Sequence, residues 1–308
     1  MKWLCRIALF TVVASGLAMA VGQDQSSDGV PVHMVVTVET RHGSSMPDIS
    51  RQDAMVRQGK DRLRTTDWVP LQGDRAGLQL FVVIDDALNT SLGSQLDDLR
   101  QFINAQPATT SVGVGYMRNG TVQVAQELTV DHTQAAKALR LPLGEPGINA
   151  SPYVSLADLT KRWPETPVRR EVLLITDGID RLWDGGTDDP YLDEAIEQAQ
   201  KAGIIVFSIY SPGVGHYSHN YWRTNWGQNY LSQLSEETGG ESFYFMNGAP
   251  VSFLPYLDDL SQKLGRQYLL TFLAKPGKKA GMQKVKVQTE VPNVELVAAD
   301  AIWVPAAQ

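Results

Sequence analysis

The sequence predicts an α/β protein: a doubly wound, mostly parallel sheet with a small flanking antiparallel β unit. Three observations predict it. The runs 78–84, 171–176 and 204–210 are apolar almost throughout, as strands buried on both faces require. Segments with helical spacing lie between them, so each strand returns to the sheet through a crossover. Both flanks instead alternate with period two, the pattern of strands with one face toward a core.

Taken in order, residues 32–39 read as a strand, and 54–58 and 62–69 as two more around Gly59-Lys60. The first buried strand, 78–84, ends at Asp85-Asp86. Leu96, Leu99, Phe102 and Ile103 fall on one helix face. Val112, Val114 and Tyr116 alternate, and Asn119-Gly120 makes a hairpin turn into Val122 and Val124. Residues 129–140 and 154–163 read as short helices. The second buried strand, 171–176, runs into Asp177-Gly178. Asp188-Asp189-Pro190 combines a capping carboxylate with proline in the first turn, so a helix starts there and stops at Gly203. The third buried strand, 204–210, follows. A helix from about Asn229 to Thr238 ends in Gly239-Gly240, then come a short strand at 242–245 and a last helix at 253–264. Residues 267–274, 284–290 and 294–304 alternate again, with a turn at 275–279. The two flanks are expected to pair. That gives an amino-terminal β segment (31–75), the α/β domain (76–265) and a carboxyl-terminal β segment (266–305).

The first thirty residues stand apart. Lys2 and Arg6 precede and flank an apolar run over 7–14, and Ala18-Met19-Ala20 has the small-x-small form of a signal peptidase site. The run is shorter than the roughly 20 residues of a membrane span. Residues 1–20 are therefore expected to be a signal peptide and 21–30 a flexible new amino terminus, with an uncleaved anchor as the other reading. Cleavage would place the protein in the periplasm or outside the cell. It would also remove Cys5, the sole cysteine, so a packed core must supply the stability. Loss of Lys2 and Arg6 takes the formal net charge from −7 to −9. That balance, with no dense basic cluster, argues against nucleic acid or anionic membranes as partners.

In order and spacing, Val83-Ile84-Asp85, then 173–178, then Ala202-Gly203 with the strand after it, and finally Glu237-Thr238-Gly239-Gly240-Glu241 resemble von Willebrand factor A domains, a Rossmann-like family. Residues 31–305 as a whole resemble a bacterial secreted von Willebrand A-related subgroup with flanking β segments. The resemblance implies a divalent cation held by Asp-x-Ser-x-Ser, a distant Thr and a distant Asp. The resemblance also implies one open coordination position, to be filled by a carboxylate from a protein partner. The first motif falls on Asp85-Asp86-Ala87-Leu88-Asn89. The implied metal ligands are then Asp85, Asn89, Ser151 and Asp177, for Mg²⁺, Mn²⁺ or Ca²⁺. Hard cations want oxygen ligands, and Ala87 offers none. Asp86, Thr90 and Ser91 are nearby oxygens that could compensate. A degenerate, metal-free site is the other reading, since Asp at strand ends also serves turns and caps.

A second candidate surface is the aromatic stretch after the third buried strand, expected as a long loop on the same edge. His216, Tyr217, Tyr221, Trp222, Arg223 and Trp226 are the residue types of recognition surfaces. The alternative is that its rings fold back over the core. His216 and His219 lack the acid or Cys neighbours of a metal site. Asp180, Asp184, Asp188 and Asp189 do not match the spacing of an EF-hand loop, which favours a solvated loop and a cap.

These features favour a binding module over an enzyme. A phosphoryl-transfer aspartate needs a second acid two residues on, where Ala87 stands. Gly-x-Ser-x-Gly, a Walker loop and His-Glu-x-x-His are all missing from the sequence. The leading expectation is an exported adhesion or assembly module that binds an unidentified protein. A metal-free scaffold is the alternative, and a metal-dependent hydrolase is the remote one.

Overall fold

The computed structural model describes residues 29–40, 46–183, 186–215, 220–244 and 250–306. The expected signal segment lies outside them. The chain opens with β1 (Val30–Thr40), β2 (Met55–Gln58) and β3 (Asp61–Pro70), then enters the α/β unit at β4 (Leu78–Asp85). It continues through α1 (Leu96–Asn104), β5 (Thr110–Arg118), β6 (Thr121–Thr129), α2 (His132–Lys137), α3 (Pro152–Arg162), β7 (Arg169–Thr176), α4 (Pro190–Ala202), β8 (Ile204–Tyr210), α5 (Tyr221–Thr238), β9 (Ser242–Phe243) and α6 (Leu254–Leu264). Four strands close it: β10 (Gln267–Ala274), β11 (Gly281–Gln288), β12 (Val294–Val297) and β13 (Ala301–Val304).

The three apolar runs become β4, β7 and β8, side by side and parallel. The whole sheet has the order β6-β5-β4-β7-β8-β9, with β6 its antiparallel edge. The Asn119-Gly120 turn reaches β6 through two positive φ angles, 57° and 72°, as a tight hairpin needs. Alternate residues of the central strands feed two cores. Leu80, Val82, Ile84 and Phe207 pack with α1 and α6 on one face, whereas Phe81, Val83, Leu174 and Val206 pack with α3, α4 and α5 on the other. Helix α4 begins and ends where its punctuation puts it. Asp189 accepts the Tyr191 and Leu192 amides, and Gly203 takes the left-handed turn at φ 65°.

The flanks pair into an antiparallel sheet ordered β12-β1-β10-β3-β2-β11-β13. It is larger than the small unit expected, with seven strands against six. Residues 294–304 do not form one strand. Residues 298–300 part them into β12 and β13, which lie at opposite ends of the order and so curl the sheet around Val36, Val56, Leu270, Phe272 and Val304. Two further expectations shift. Helix α2 occupies only part of 129–140. Helix α5 starts at Tyr221, eight residues before Asn229, because the Asn220 side chain caps the Trp222 and Arg223 amides.

Several polar contacts join the two sheets. Lys263, on α6, reaches Glu39 of β1 at 2.6 Å and Glu241 at 2.7 Å. Gln200, on α4, donates to Asp300 at 2.7 Å, and the Lys201 ammonium lies 4.2 Å from the Trp303 ring centre. Below the amino end of β7, Arg169 donates to the Leu264 carbonyl at 2.7 Å and to the Gln267 side chain.

Candidate functional site

Numbered from β4, the six-stranded sheet runs 3-2-1-4-5-6. Its topological switch point lies between β4 and β7, and ligands of such sheets bind beyond the carboxyl ends at that crevice. Asp85 ends β4 and Asp177 directly follows β7, so the fold brings these two expected residues to one place. Both are buried.

Their oxygens are already engaged. Asp85 accepts the Ala87 amide at 2.8 Å on one oxygen and the Thr176 hydroxyl at 2.8 Å on the other. Asp177 accepts the Ile179 amide at 3.0 Å. Its other oxygen meets the guanidinium of Arg181 at 2.7 Å, with side-chain exposures of 7% for Arg181 and 1% for Asp177. The Arg181 backbone amide donates to Ala150, which ties this loop to the segment carrying Ser151. Burial pushes the Asp85 carboxyl up to about 6, the Asp177 charge adds to the rise, and Arg181 opposes it. For Arg181 burial works the other way, but Asp177, Asp85 and Asp180 together hold its guanidinium above its ordinary value.

The other two expected ligands are turned elsewhere. The Ser151 hydroxyl caps α3 through the Val154 amide and donates to Asp180 at 2.5 Å. Asp180 in turn accepts the Leu182 and Trp183 amides, and burial raises its carboxyl. Asn89 is exposed, and its side-chain oxygen accepts the Ser91 amide in a cap. Asp86 cannot compensate for Ala87, because Arg140 clamps it at 2.7 and 2.9 Å and the Leu143 amide adds a third bond.

A hard divalent cation does not fit this donor set. It needs six or more oxygens and, for Mg²⁺, room for several waters. The crevice beside Asp85 and Ser151 has a cavity volume of about 10 Å³, space for a single water. No group of three or more His, Cys, Asp or Glu among the described residues is arranged to hold a metal.

From Tyr221 onward the aromatic stretch is the start of a helix and not part of a loop. His216 and Tyr217, with His219, lie outside the described residues. Tyr221, Trp222, Arg223 and Trp226 occupy the first two turns of α5, and the two expected readings divide among them. Trp226 packs partly against the core, and with Arg223 it meets the loop carrying Asp180 and Trp183. Tyr221 and Trp222 stay 74% and 65% exposed, edge to face at 5.5 Å. Two glycines set the helix against the Asp177 loop. A methyl group on Gly178 would sit 2.4 Å from the Gly227 carbonyl oxygen, and one on Gly227 would sit 2.4 Å from that of Asp177.

Sequence reasoning missed Thr176 and Arg181, and it read Asp180 as part of a solvated loop, whereas Asp180 is buried against Ser151. The signal was present as an Arg four residues after the strand-end Asp, but outside a helix that spacing carries no fixed direction.

No protein-family model matches the sequence, and no curated protein matches it. Among solved structures, the chain is similar to an aerotolerance-related membrane protein from Bacteroides fragilis, at 14% identity and a TM-score of 0.43 over 61% of this chain and 98% of that one. It is also similar to the VWA domain of SpRpn10, at 14% identity and 0.42 over 61% and 96%. A third is the ArnB paralog VWA2 from Sulfolobus acidocaldarius, at 10% identity and 0.39 over 89% and 76%. Such low scores do not carry the assignment. The strand order does, with its antiparallel edge and the two acids at the switch point. The α/β unit has a von Willebrand A-like fold. In this fold, the four residues expected to hold a metal are each engaged by other groups of the chain.

Proposed function

We propose that the chain is an exported protein-binding module of adhesion or assembly type, not an enzyme, and that it grips its partner with the carboxyl edge of the von Willebrand A-like domain. The observation that carries the reading is the exposed Tyr221–Trp222 pair at the start of α5. The two rings are exposed side by side, not scattered singly, and Tyr and Trp are enriched among the residues that dominate binding energies. Leu141, Leu143, Ile148 and Leu182 are also exposed in loops of this edge. The pair sits on a capped helix fixed by the glycine contact, so little conformational entropy is lost on binding.

The signal-like amino-terminal sequence supports export, and no helix among the described residues is long and apolar enough to cross a membrane. The donor set at Asp85 and Asp177 favours binding without a bridging cation.

A photo-crosslinking residue at position 222 tests the reading, with one at Val130, exposed at the opposite end of the sheet, as control. The expected result is one discrete crosslinked partner from position 222, lost on Tyr221→Ala and unchanged by EDTA. Equal crosslinking from position 130, or none from 222, would sink the proposal. Loss with EDTA would restore the metal-bridged form.

A further inference from the structure

We propose that Arg181 is the resident cation of this edge, a guanidinium in permanent occupation of the charge position where the resemblance implies a divalent ion. The proposal concerns what holds the edge together and stands or falls apart from partner binding. Three features of the geometry support it.

First, the position of the charge is right. Arg181 contacts Asp177 at 2.7 Å, and the same guanidinium donates to the Ile179 carbonyl at 3.1 Å, within the loop that leaves β7. Asp85 and Asp177 are buried on neighbouring strands, where two unbalanced carboxylates would repel each other. A positive charge there relieves that repulsion, and Arg181 supplies it.

Second, the remaining groups have rearranged around a cation that is covalently part of the chain. Ala87 contributes its backbone amide to Asp85 and has no side-chain oxygen to offer a metal. The Ser151 hydroxyl donates to Asp180, and the Thr176 hydroxyl donates to Asp85 while accepting the Gly178 amide. Two of these contacts, Ser151 to Asp180 and Thr176 to Asp85, let neighbouring oxygens share a hydrogen in place of a cation.

Third, Arg181 is closed off from partners. At 7% side-chain exposure it cannot offer an open coordination position to an incoming carboxylate. An acidic side chain on a partner therefore has nothing to bind at this point, and the edge is fixed in one state whatever the divalent-ion concentration.

Thermal unfolding of the full chain with EDTA, Mg²⁺, Ca²⁺ or Mn²⁺ tests this, together with Arg181→Met and Arg181→Met/Asp177→Asn. The wild-type midpoint is expected to be the same in all four conditions. Arg181→Met should lose roughly 10 °C, as an uncompensated buried charge predicts. Millimolar Mn²⁺ should win back part of that loss by entering the vacated position. The double variant, with both charges gone, should recover most of the loss and ignore Mn²⁺. A wild-type midpoint raised by any of the three cations overturns the proposal, and so does an Arg181→Met midpoint equal to wild type. Loss without Mn²⁺ rescue also overturns it, since that describes an ordinary salt bridge. If Arg181→Met does not fold, Mn²⁺ binding to the wild type by calorimetry decides: none upholds the proposal, and binding overturns it.

Discussion

Strand β7 has a buried acid at each end, and the two are treated differently. Asp177, past the carboxyl end, has a guanidinium aimed at it and a backbone amide besides. Glu171, near the amino end, is as deeply buried, but neither of its oxygens has a hydrogen bond of normal geometry. Its neighbour Arg169 is turned to the Leu264 carbonyl and Gln267 instead. Burial lifts Glu171 to about 7, with Arg169 and Gln267 pulling back only in part. Two acids of equal burial thus differ in their partners: one faces a guanidinium, and the other lies beside an arginine that points elsewhere.

The comparison breaks most sharply at its paired end. Asp177→Ala leaves Arg181 buried without its counter-ion and should cost about 3–5 kcal/mol in urea unfolding. A loss under 1 kcal/mol would mean the pair is no stronger than a surface one.

Glu171→Gln probes the unpaired end. The folded state holds the Glu171 proton more tightly than the unfolded chain, so its contribution is present below the ordinary carboxylate range and lost as pH rises through about 7. Wild-type stability should fall by on the order of 3 kcal/mol between pH 5 and pH 8, and the variant should not show that slope. Parallel pH profiles for the two proteins would remove Glu171 from the account.

Thr176→Val sharpens the contrast further. It removes one of two hydrogen bonds to Asp85 and leaves the Gly178 amide unsatisfied, which should cost about 1–3 kcal/mol. Burial already pushes Asp85 upward, so the pH at which that end loses its charge should rise in the variant, read by NMR titration of the carboxyl carbon. The smallest effect belongs to Trp222→Ala. Its ring is exposed, and melting should move by no more than about 0.5 kcal/mol even if binding is lost.

Much of this was legible in the sequence. The three central strands follow from runs without alternation, and the β5–β6 hairpin from Asn119-Gly120. Both ends of α4 follow from Asp189 and Gly203, where one residue type satisfies one backbone need. Period-two alternation over 294–304 reveals strand but not edge, so the split into β12 and β13 stayed hidden. The first half of α5 stayed hidden as well. Tyr, Trp, Thr and Asn have weak helix preference, and packing through Gly227 overrides it. At the site, sequence located Asp85 and Asp177 because topology puts strand ends together. It could not show where the hydroxyls of Ser151 and Thr176 point, or that the turn at Gly178, with φ 67°, brings Arg181 back over Asp177.

The curled sheet is assembled from both ends of the chain, and this has a consequence for the order of events during synthesis. Strand β1 pairs only with β10 and β12, which begin more than 200 residues later. Until those residues emerge, β2 and β3 have each other and β1 has no strand partner at all. The von Willebrand A-like domain lies wholly between and can close first, since its own strands need nothing from either flank. A nascent chain from which Leu264 has emerged, but β10 has not, would therefore carry every element of the α/β unit beside one unmated, apolar strand. That strand is the segment of this molecule most in need of a chaperone.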